Sequence, residues 1–227
     1  MRNNQRRSGQ PKSPQPSSPA ASAANLAFAV PTEFVELPSQ GKFYPEDHLL
    51  HQQETVEIRF MTAKDEDILS SESLLKKGLA IDRLLESLLV DDIDPTSLLV
   101  SDRNAILVAA RISGYGEEYD VTFTCKGCFL PVDTVYDLKS ATLETNCFNS
   151  VFLKRNNVVY NNNTQTFDVE LPSSGVTVGL QLLNGADERF LANDDKEKAV
   201  TSMLNTFIAK VDDKTDPGYI NDFVEAL

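Results

Sequence analysis

Two cysteines separated by two residues form the most specific chemical motif of the sequence, Cys125-Lys126-Gly127-Cys128. This spacing allows a tight turn to direct two thiolates at one metal ion, as in zinc knuckles. A structural zinc needs four ligands, and the remaining candidates are Cys147, His48 and His51. The sequence therefore allows a zinc site at Cys125 and Cys128, and also a hairpin tip without metal. A thioredoxin-like redox role is less favoured, because the pair does not begin a helix.

Catalytic constellations are missing from the sequence. With two histidines close together and no Gly-x-Ser-x-Gly motif, there is no set of residues for triad chemistry. Gly114-Tyr115-Gly116 follows a predicted helix and precedes no Lys-Ser/Thr pair, so it is not a phosphate-binding loop. The acidic runs Asp91-Asp92 and Asp194-Asp195 are typical of solvated helix ends. We therefore predict a non-enzymatic protein with no small-molecule substrate and no cofactor other than the possible zinc.

Charge is distributed unevenly along the 227 residues. The chain has 21 Lys and Arg against 34 Asp and Glu, a net charge of −13. Four of the bases, Arg2, Arg6, Arg7 and Lys12, lie in the first 30 residues, which contain no acid. Residues 31–227 consequently carry a net charge of −17. So acidic a body would repel the backbone of a nucleic acid, and it favours a basic partner.

The first 27 residues are rich in Asn, Gln, Ser, Pro and Ala and hold almost no large apolar side chain. This composition predicts a disordered basic arm at 1–27, either a solubilising tail or a segment that docks on an acidic neighbour. No apolar run approaches the roughly 18 residues that span a bilayer, and the basic start lacks the apolar core of a signal peptide. With an odd number of cysteines, this predicts a protein of the cytoplasm without membrane association.

Hydrophobic periodicity predicts the elements that must position these residues. Alternation over 54–60 predicts a strand, after which Thr62 and Asp65 mark the start of a helix reaching Lys77. Further helices are predicted over 81–89, from Asp94-Pro95, and over 102–112. The alternation then returns at 119–125 and 132–136, which predicts a β-hairpin with both cysteines of the pair at its tip.

The remaining chain is predicted as a linker followed by strands and helices. Weak periodicity and several asparagines indicate an irregular segment at 139–163, with a possible strand at 151–153. Strands are predicted over 167–171 and 176–182, and a last helix over 219–227. One amphipathic helix is predicted from the apolar positions Val200, Met203, Leu204, Phe207, Ile208 and Val211.

Two pairs of segments repeat within the chain. Glu36-Leu37-Pro38-Ser39-Gln40-Gly41 resembles Glu170-Leu171-Pro172-Ser173-Ser174-Gly175, and Asp65-Glu66-Asp67-Ile68-Leu69 resembles Asp187-Glu188-Arg189-Phe190-Leu191. We infer an α+β fold of two related strand-turn-strand-helix units around a helical block, unless the likeness is coincidence among common turn and cap residues. The predicted boundaries are the arm at 1–27, a first unit with the helical block and the cysteine hairpin at 28–138, a linker at 139–163, and a second unit with C-terminal helices at 164–227.

The first unit also carries residues that point to a known family. They are Glu36-Leu37-Pro38-Ser39-x-Gly41-x-Phe43-Tyr44-Pro45, Met61-Thr62-Ala63-x-x-Glu66-Asp67-Ile68-Leu69, Leu74-x-Lys76-Lys77-Gly78, and Asp102-Arg103-Asn104-Ala105-Ile106-Leu107 with Arg111-Ile112-x-Gly114-Tyr115-Gly116. In this order they resemble the baseplate hub proteins of T-even-type (myovirus) bacteriophages. The resemblance covers about residues 33–138, and more loosely residues 171–224.

The resemblance implies a non-enzymatic protein of phage tail morphogenesis, located in the virion tail baseplate and in the host cytoplasm during assembly. Its implied partners are other baseplate hub proteins or tape-measure proteins. One hypothesis is a hub subunit retained in the tail, with the apolar stripe at 200–211 packed on neighbours. A second is an assembly chaperone that shields a basic client and is absent from the mature virion. A third, from another class, is a small zinc-binding regulator or enzyme.

Overall fold

The computed structural model describes residues 30–140, 150–193 and 199–227, and its elements belong to one unit, Pro31–Leu227. The strands are β1 (Thr32–Glu36), β2 (Thr55–Arg59), β3 (Glu118–Thr124), β4 (Pro131–Asp137), β5 (Val158–Asn161), β6 (Thr166–Glu170), β7 (Thr177–Leu180) and β8 (Ile208–Val211). The helices are α1 (Ala63–Ser70), α2 (Glu72–Lys76), α3 (Ala80–Leu88), α4 (Val100–Tyr115), α5 (Ser150–Arg155), α6 (Gly185–Asn193), α7 (Ala199–Phe207) and α8 (Pro217–Glu225). The arm predicted at 1–27 and the third cysteine, Cys147, lie outside the described residues.

The described strands form three small antiparallel sheets, which together with the helices confirm the predicted α+β class. Strand β1 pairs with β2, and β3 pairs with β4. The other four strands make one sheet in the order β5-β6-β7-β8. Strands that are consecutive in the sequence are therefore neighbours in every sheet, so that the pairing requires no crossing connections.

The larger hydrophobic core lies between the first hairpin and helices α3 and α4. Leu84, Leu85 and Leu88 bury one face of α3 there, as their helical spacing predicts. Ile81 has the same helical spacing, but its side chain is exposed and Ala80 is buried instead. Each fully buried leucine contributes about 2 kcal/mol, so this face of α3 is a main source of stability.

A buried carboxylate fastens this core to the turn after β1. Asp102, in the first turn of α4, is fully buried and accepts hydrogen bonds from the backbone N–H and the hydroxyl of Ser39, at 3.0 and 2.6 Å. The Tyr44 hydroxyl donates to the same carboxylate at 2.8 Å and accepts the backbone N–H of Leu99 at 3.0 Å. Burial and the charge of Asp102 raise the pKa of Tyr44. One carboxylate thus satisfies three buried donors from distant parts of the chain.

A second buried carboxylate joins β2, α1 and α3. Arg59 donates to both oxygens of Asp65 at 2.8 Å, and Ser87 of α3 donates at 2.8 Å. The backbone N–H and the hydroxyl of Thr62 donate to it at 2.7 and 2.8 Å, which is the predicted capping interaction at the start of α1. Burial raises the pKa of Asp65, but the hydrogen bonds from Arg59, Thr62 and Ser87 outweigh it and hold that pKa well below its ordinary value.

The smaller core lies between the four-stranded sheet and α8. Its buried members are Val178 of β7, Ile208 and Val211 of β8, and Ile220 and Val224 of α8. Helix α8 begins two residues before the predicted residue 219, because the Asp216 side chain accepts the backbone N–H of Tyr219 at 2.9 Å and Pro217 occupies the first helical turn. The C-terminal helix therefore closes this sheet with its apolar face.

A charge cluster and a group of rings connect the two cores. Asp82 of α3 accepts Arg103 of α4 at 2.9 Å and Arg189 of α6 at 2.5 Å. A side chain at Gly185 would meet the Arg103 guanidinium, since a Cβ there would lie 2.4 Å from Nη1.

A group of aromatic rings forms the second connection. The centroid of the Phe43 ring lies 5.2 Å from that of Tyr160 and 5.5 Å from that of Phe167. These contacts hold α6 and the four-stranded sheet against the helices of the larger core.

The repeated segments adopt the same local geometry. Glu36 pairs with Thr55 at the end of the first hairpin, and Glu170 pairs with Thr177 at the end of the corresponding one. In each turn the final glycine, Gly41 and Gly175, has a φ of 68°. The capping repeats as well: Thr62 N–H donates to Asp65, and Asn184 N–H donates to Asp187 at 3.0 Å. The two turns thus share the conformation of their final glycine, and the two helix starts share a capping hydrogen bond.

In the first half of the chain, two helix predictions require correction. The helix predicted from Thr62 to Lys77 is interrupted at Ser71, which is extended and caps α2. Serine side chains compete for backbone hydrogen bonds, and Ser70 donates back to the Glu66 carbonyl at 2.8 Å. Asp94-Pro95 opens a turn instead of a helix, because the Asp94 carboxylate accepts both the N–H and the hydroxyl of Thr96.

The segment 139–163 also differs from its prediction as a linker with a strand at 151–153. It contains α5 where the strand was expected, and its true strand, β5, follows at Val158–Asn161. A short apolar run does not distinguish helix from strand by periodicity alone. Because β5 pairs with β6, the four-stranded sheet begins within this segment.

The apolar stripe at 200–211 does not form a single helix. Helix α7 ends at Phe207, and Ile208–Val211 become strand β8, with Val211 paired to Val178 and Ile208 paired to Leu180. The helical spacing of these residues is real, but the free edge of β7 offers them backbone hydrogen bonds and a place in the smaller core. Tertiary pairing therefore overrides the local pattern.

Replacing Asp102 by alanine is expected to lower the free energy of unfolding by about 3 kcal/mol, since three buried donors lose their acceptor. Denaturant titration of the purified chain measures this loss. The control variant Asp120→Ala, at an exposed position of β3, is expected to stay within about 0.5 kcal/mol of the unmodified chain. Equal values for the two variants would contradict the structural role of Asp102.

Acid titration tests the second carboxylate. The pKa of Asp65 is lower in the folded than in the unfolded chain, so its stabilising contribution is fully present above the unfolded value of about 3.9 and is lost as pH falls below it. We expect Asp65→Asn to reduce the free energy of unfolding at neutral pH and to flatten its decline between about pH 5 and 2. An unchanged acid slope would contradict the assignment.

Candidate interaction site on the cysteine hairpin

The hairpin of β3 and β4 is the least buried part of the described fold. Every residue of both strands is exposed except Val121, which is half-buried. Its pairing runs from Glu118 opposite Asp137 to Thr124 opposite Pro131. A two-stranded sheet is marginally stable in water without a covered face. The hairpin is therefore a candidate surface for contact with another molecule.

The two faces of the hairpin differ in chemistry. The register places Tyr119 opposite Tyr136 and Phe123 opposite Val132, and Val121 lies between these pairs. Because side chains alternate along a strand, these five residues share one face. Tyr119, Tyr136 and Phe123 are 47, 46 and 50 % exposed. This aromatic and aliphatic group, the apolar face, is a surface of the kind that marks protein–protein contacts.

The opposite face is acidic. Its residues are Glu118, Asp120, Thr122 and Thr124 of β3, and Pro131, Asp133, Val135 and Asp137 of β4. Glu118 lies directly opposite Asp137, and like charges at paired positions weaken a hairpin. The Thr122 hydroxyl donates to Asp133 at 2.7 Å and offsets part of this repulsion. The charged side chains of the acidic face are stabilised by contact with water. The apolar face is therefore the side available for a partner.

The base of the hairpin is fixed to the end of α4. The Arg111 guanidinium lies 5.1 Å from the ring centroid of Tyr115 and 5.6 Å from that of Tyr119. Arg111 also donates to the carbonyls of Gly116 and Glu118, at 2.9 and 3.2 Å. One side chain thus contacts both the helix and the first strand, so the direction of the hairpin is set by α4.

The tip brings the two predicted site residues together. The Cys125 N–H donates to the Leu130 carbonyl at 2.9 Å, and the Phe129 N–H donates to the Cys125 carbonyl at 2.8 Å. Phe129 closes the turn with a φ of 58°. Both cysteines are free thiols. Hydrogen bonds from the backbone N–H groups of Cys128 and Gly127 lower the pKa of the Cys125 thiol, and the Cys128 side chain adds to this effect.

The two histidines considered as further ligands have other contacts. His48 Nε2 lies 2.9 Å from the Ser97 hydroxyl, and its ring stacks on Tyr44 at 4.3 Å. His51 Nδ1 lies 2.7 Å from the Tyr44 carbonyl. Burial lowers the pKa of His48 in spite of the neighbouring charge of Asp47. In the described ranges no three His, Cys, Asp or Glu residues are grouped as metal ligands.

Sequence reasoning placed the hairpin and its cysteines correctly but did not identify the apolar face. Its signal is present in the alternation of Tyr119, Val121 and Phe123, which predicts a strand of the hairpin but not whether its apolar side is covered. The pairing with β4 adds Val132 and Tyr136 to the same face, and only the structure shows that this face is uncovered. The Asp82 cluster was missed entirely, because its members are far apart in the sequence.

Comparison with known proteins adds family information. The family model described as T4 bacteriophage base plate protein matches residues 30–225. No curated protein and no solved structure matches the chain. In the part of the chain that the structure describes, no helix is long and apolar enough to cross a membrane.

The lowered pKa of Cys125 predicts early alkylation of this thiol. In reduced, metal-free protein, the rate of iodoacetamide labelling at Cys125 should reach half its maximum at lower pH in the folded chain than in concentrated urea. Trypsin cleavage after Lys126 separates the two cysteines, so mass spectrometry can follow Cys125 alone. Coinciding pH profiles in the two conditions would contradict the hydrogen-bonded turn.

Proposed function

The chain belongs to the T4 bacteriophage base plate protein family, and from this we propose that it is a structural subunit of the central baseplate hub, retained in the tail. Family membership confirms the resemblance seen in the sequence. It also implies contacts with other phage baseplate proteins and a location in the virion tail baseplate. Family membership supports the baseplate, and the position in the central hub is what we propose in addition.

The observation that carries this proposal is the exposed apolar face of the cysteine hairpin. A subunit that acts by contact needs a surface whose burial is favourable, and aromatic side chains dominate such surfaces. Tyr119, Phe123 and Tyr136 supply them on a strand pair that leaves the rest of the fold. We propose that a neighbouring baseplate subunit covers this face.

The buried charges support a structural role instead of catalysis. The carboxylates of Asp65 and Asp102 are enclosed by hydrogen-bond donors of the chain itself. A catalytic acid or base must reach a substrate, whereas these groups join separate elements of the fold. Their position supports a rigid non-enzymatic frame on which the hairpin is held.

An assembly chaperone is the second candidate, and the charge of the body favours it. Residues 31–227 carry a net charge of −17, which suits transient shielding of a basic client. Such a protein would leave once the hub is complete. The two candidates therefore differ in whether the chain is part of the finished particle.

Mass spectrometry of purified virions and of infected-cell lysate separates the candidates. We expect peptides of this chain in both samples, at a ratio to other baseplate proteins that is constant between virion preparations. Peptides present in lysate and absent from virions, at good coverage of known baseplate proteins, would exclude the retained subunit.

The apolar face can be tested by paired substitutions that keep strand propensity. We expect Phe123→Thr with Tyr136→Thr to reduce incorporation into particles by about tenfold or more, as for the loss of interface anchors. Quantitative mass spectrometry of particles from phage carrying the variant gene measures this. Val135→Thr, on the acidic face, is the control and should be incorporated normally.

Both variants should keep the thermal midpoint of the unmodified chain, since all three positions are exposed. Normal incorporation of the double variant, with its folding intact, would show that the apolar face is not the contact surface.

A further inference from the structure

The tip of the hairpin is a hydrogen-bonded turn that holds two cysteines. Both Cys125 and Cys128 are free thiols. The strand ladder continues to the turn itself, because the Cys125 N–H reaches the Leu130 carbonyl at 2.9 Å. Two cysteines on such a turn present their sulfurs to one metal ion, and thiolates are the preferred ligands of structural zinc.

The backbone is held in this turn at a cost. Phe129 has a φ of 58°, a conformation that is strained for a residue with a side chain. Its N–H donates to the Cys125 carbonyl at 2.8 Å, which fixes the reversal of the chain directly after Cys128. A glycine would form the same turn without strain.

The ring of Phe129 is among the most exposed apolar groups of the described chain. Phe129 is 78 % exposed, and its neighbour Leu130 is 63 % exposed. Cys125 continues the alternation of Tyr119, Val121 and Phe123, and it is paired with Leu130. The thiol of Cys125 thus lies at the outer end of the apolar face, beside side chains suited to exclude water from a metal site.

We propose that the hairpin tip binds one zinc ion together with the tip of a second copy of this chain, so that Cys125 and Cys128 of both copies supply four sulfur ligands. The proposal rests on the proposed function of the hairpin as a contact surface, and it names the partner at the tip. Each described tip offers two of the four ligands that structural zinc requires. A two-fold axis through the metal relates the two tips, so that the second copy supplies the remaining two ligands.

The geometry of the hairpin suits this arrangement. A two-fold contact is self-complementary, so the apolar residues at the tip of one copy meet those of the other. The carboxylates of Asp120 and Asp133 lie on the opposite face and are directed away from such a contact. Formation of the site releases one proton from each thiol that is protonated beforehand, and the four thiolates with Zn²⁺ form a complex of charge −2.

The test uses the purified full chain, reduced and then supplied with zinc alone. We expect about half an equivalent of bound zinc per chain, measured by atomic emission after gel filtration. Light scattering should give twice the monomer mass with zinc and the monomer mass after addition of EDTA. Cys125→Ser and Cys128→Ser should each abolish both effects, while Cys147→Ser is the matched control and should change neither.

Cobalt substitution provides a second readout that does not depend on oligomer mass. Four thiolate ligands around Co²⁺ give strong sulfur-to-metal charge-transfer absorption, which should be absent from both serine variants. Thermal midpoints equal to that of the unmodified metal-free chain would show that these variants fold, as expected for an exposed tip.

Two results would overturn the proposal. One is failure of the reduced chain to retain zinc. The other is about one equivalent of zinc in a monomer, lost in Cys147→Ser, which would show that the site closes within one chain. Neither result affects the hub assignment, which depends on the virion analysis and on the Phe123→Thr with Tyr136→Thr variant. Conversely, if the purified chain forms the zinc-bridged dimer but is absent from virions, the metal site is supported and the retained hub subunit is excluded.

Discussion

Two adjacent buried charges at the start of α4 are the constraint on which the rest of the structure depends. Asp102 collects donors from Ser39 and Tyr44, and Arg103 faces the other way, to Asp82 and to the Pro95 carbonyl at 2.6 Å. Charges removed from water are tolerated when they are paired and hydrogen-bonded. Burial of this pair therefore requires the turn after β1, helix α3 and the start of α6, where Glu188 faces Arg103. Packing of the leucines supplies most of the stabilising free energy. The two charged residues determine which arrangement of the helices and turns is allowed.

The sequence predicts those parts of the fold whose signals are local. The capping residues of α1, the hairpin at the cysteine pair and the repeated Pro-Ser-x-Gly turns follow from side chains that act on their own backbone. Residues 208–211 could not be predicted in this way, because their helical spacing is overruled by the edge of β7. Likewise, Asp94-Pro95 resembles a helix start, and the choice of a turn depends on the Thr96 side chain. The candidate site shows the same division, since the thiols are visible in the sequence but the exposure of the apolar face is a tertiary property.

The likeness of the two strand-turn-strand-helix segments extends to their hydrogen bonds, yet they serve different surroundings. The first turn is followed by a longer connection to β2, and that connection supplies Tyr44 and Leu50 to the larger core. The corresponding turn at Gly175 leads almost directly into β7. The two similar segments thus differ in the length of the connection between their strands, and the longer connection is what joins the first segment to the larger core.

The direct attachment of the hairpin to α4 has a mechanical consequence. Helix α4 has 16 residues and is about 24 Å long, and the seven-residue strands of the hairpin add about 23 Å. Arg111 clamps the two where they meet. A load applied at the hairpin tip is carried through this clamp into the helix and reaches the Asp102 and Arg103 contacts at the other end.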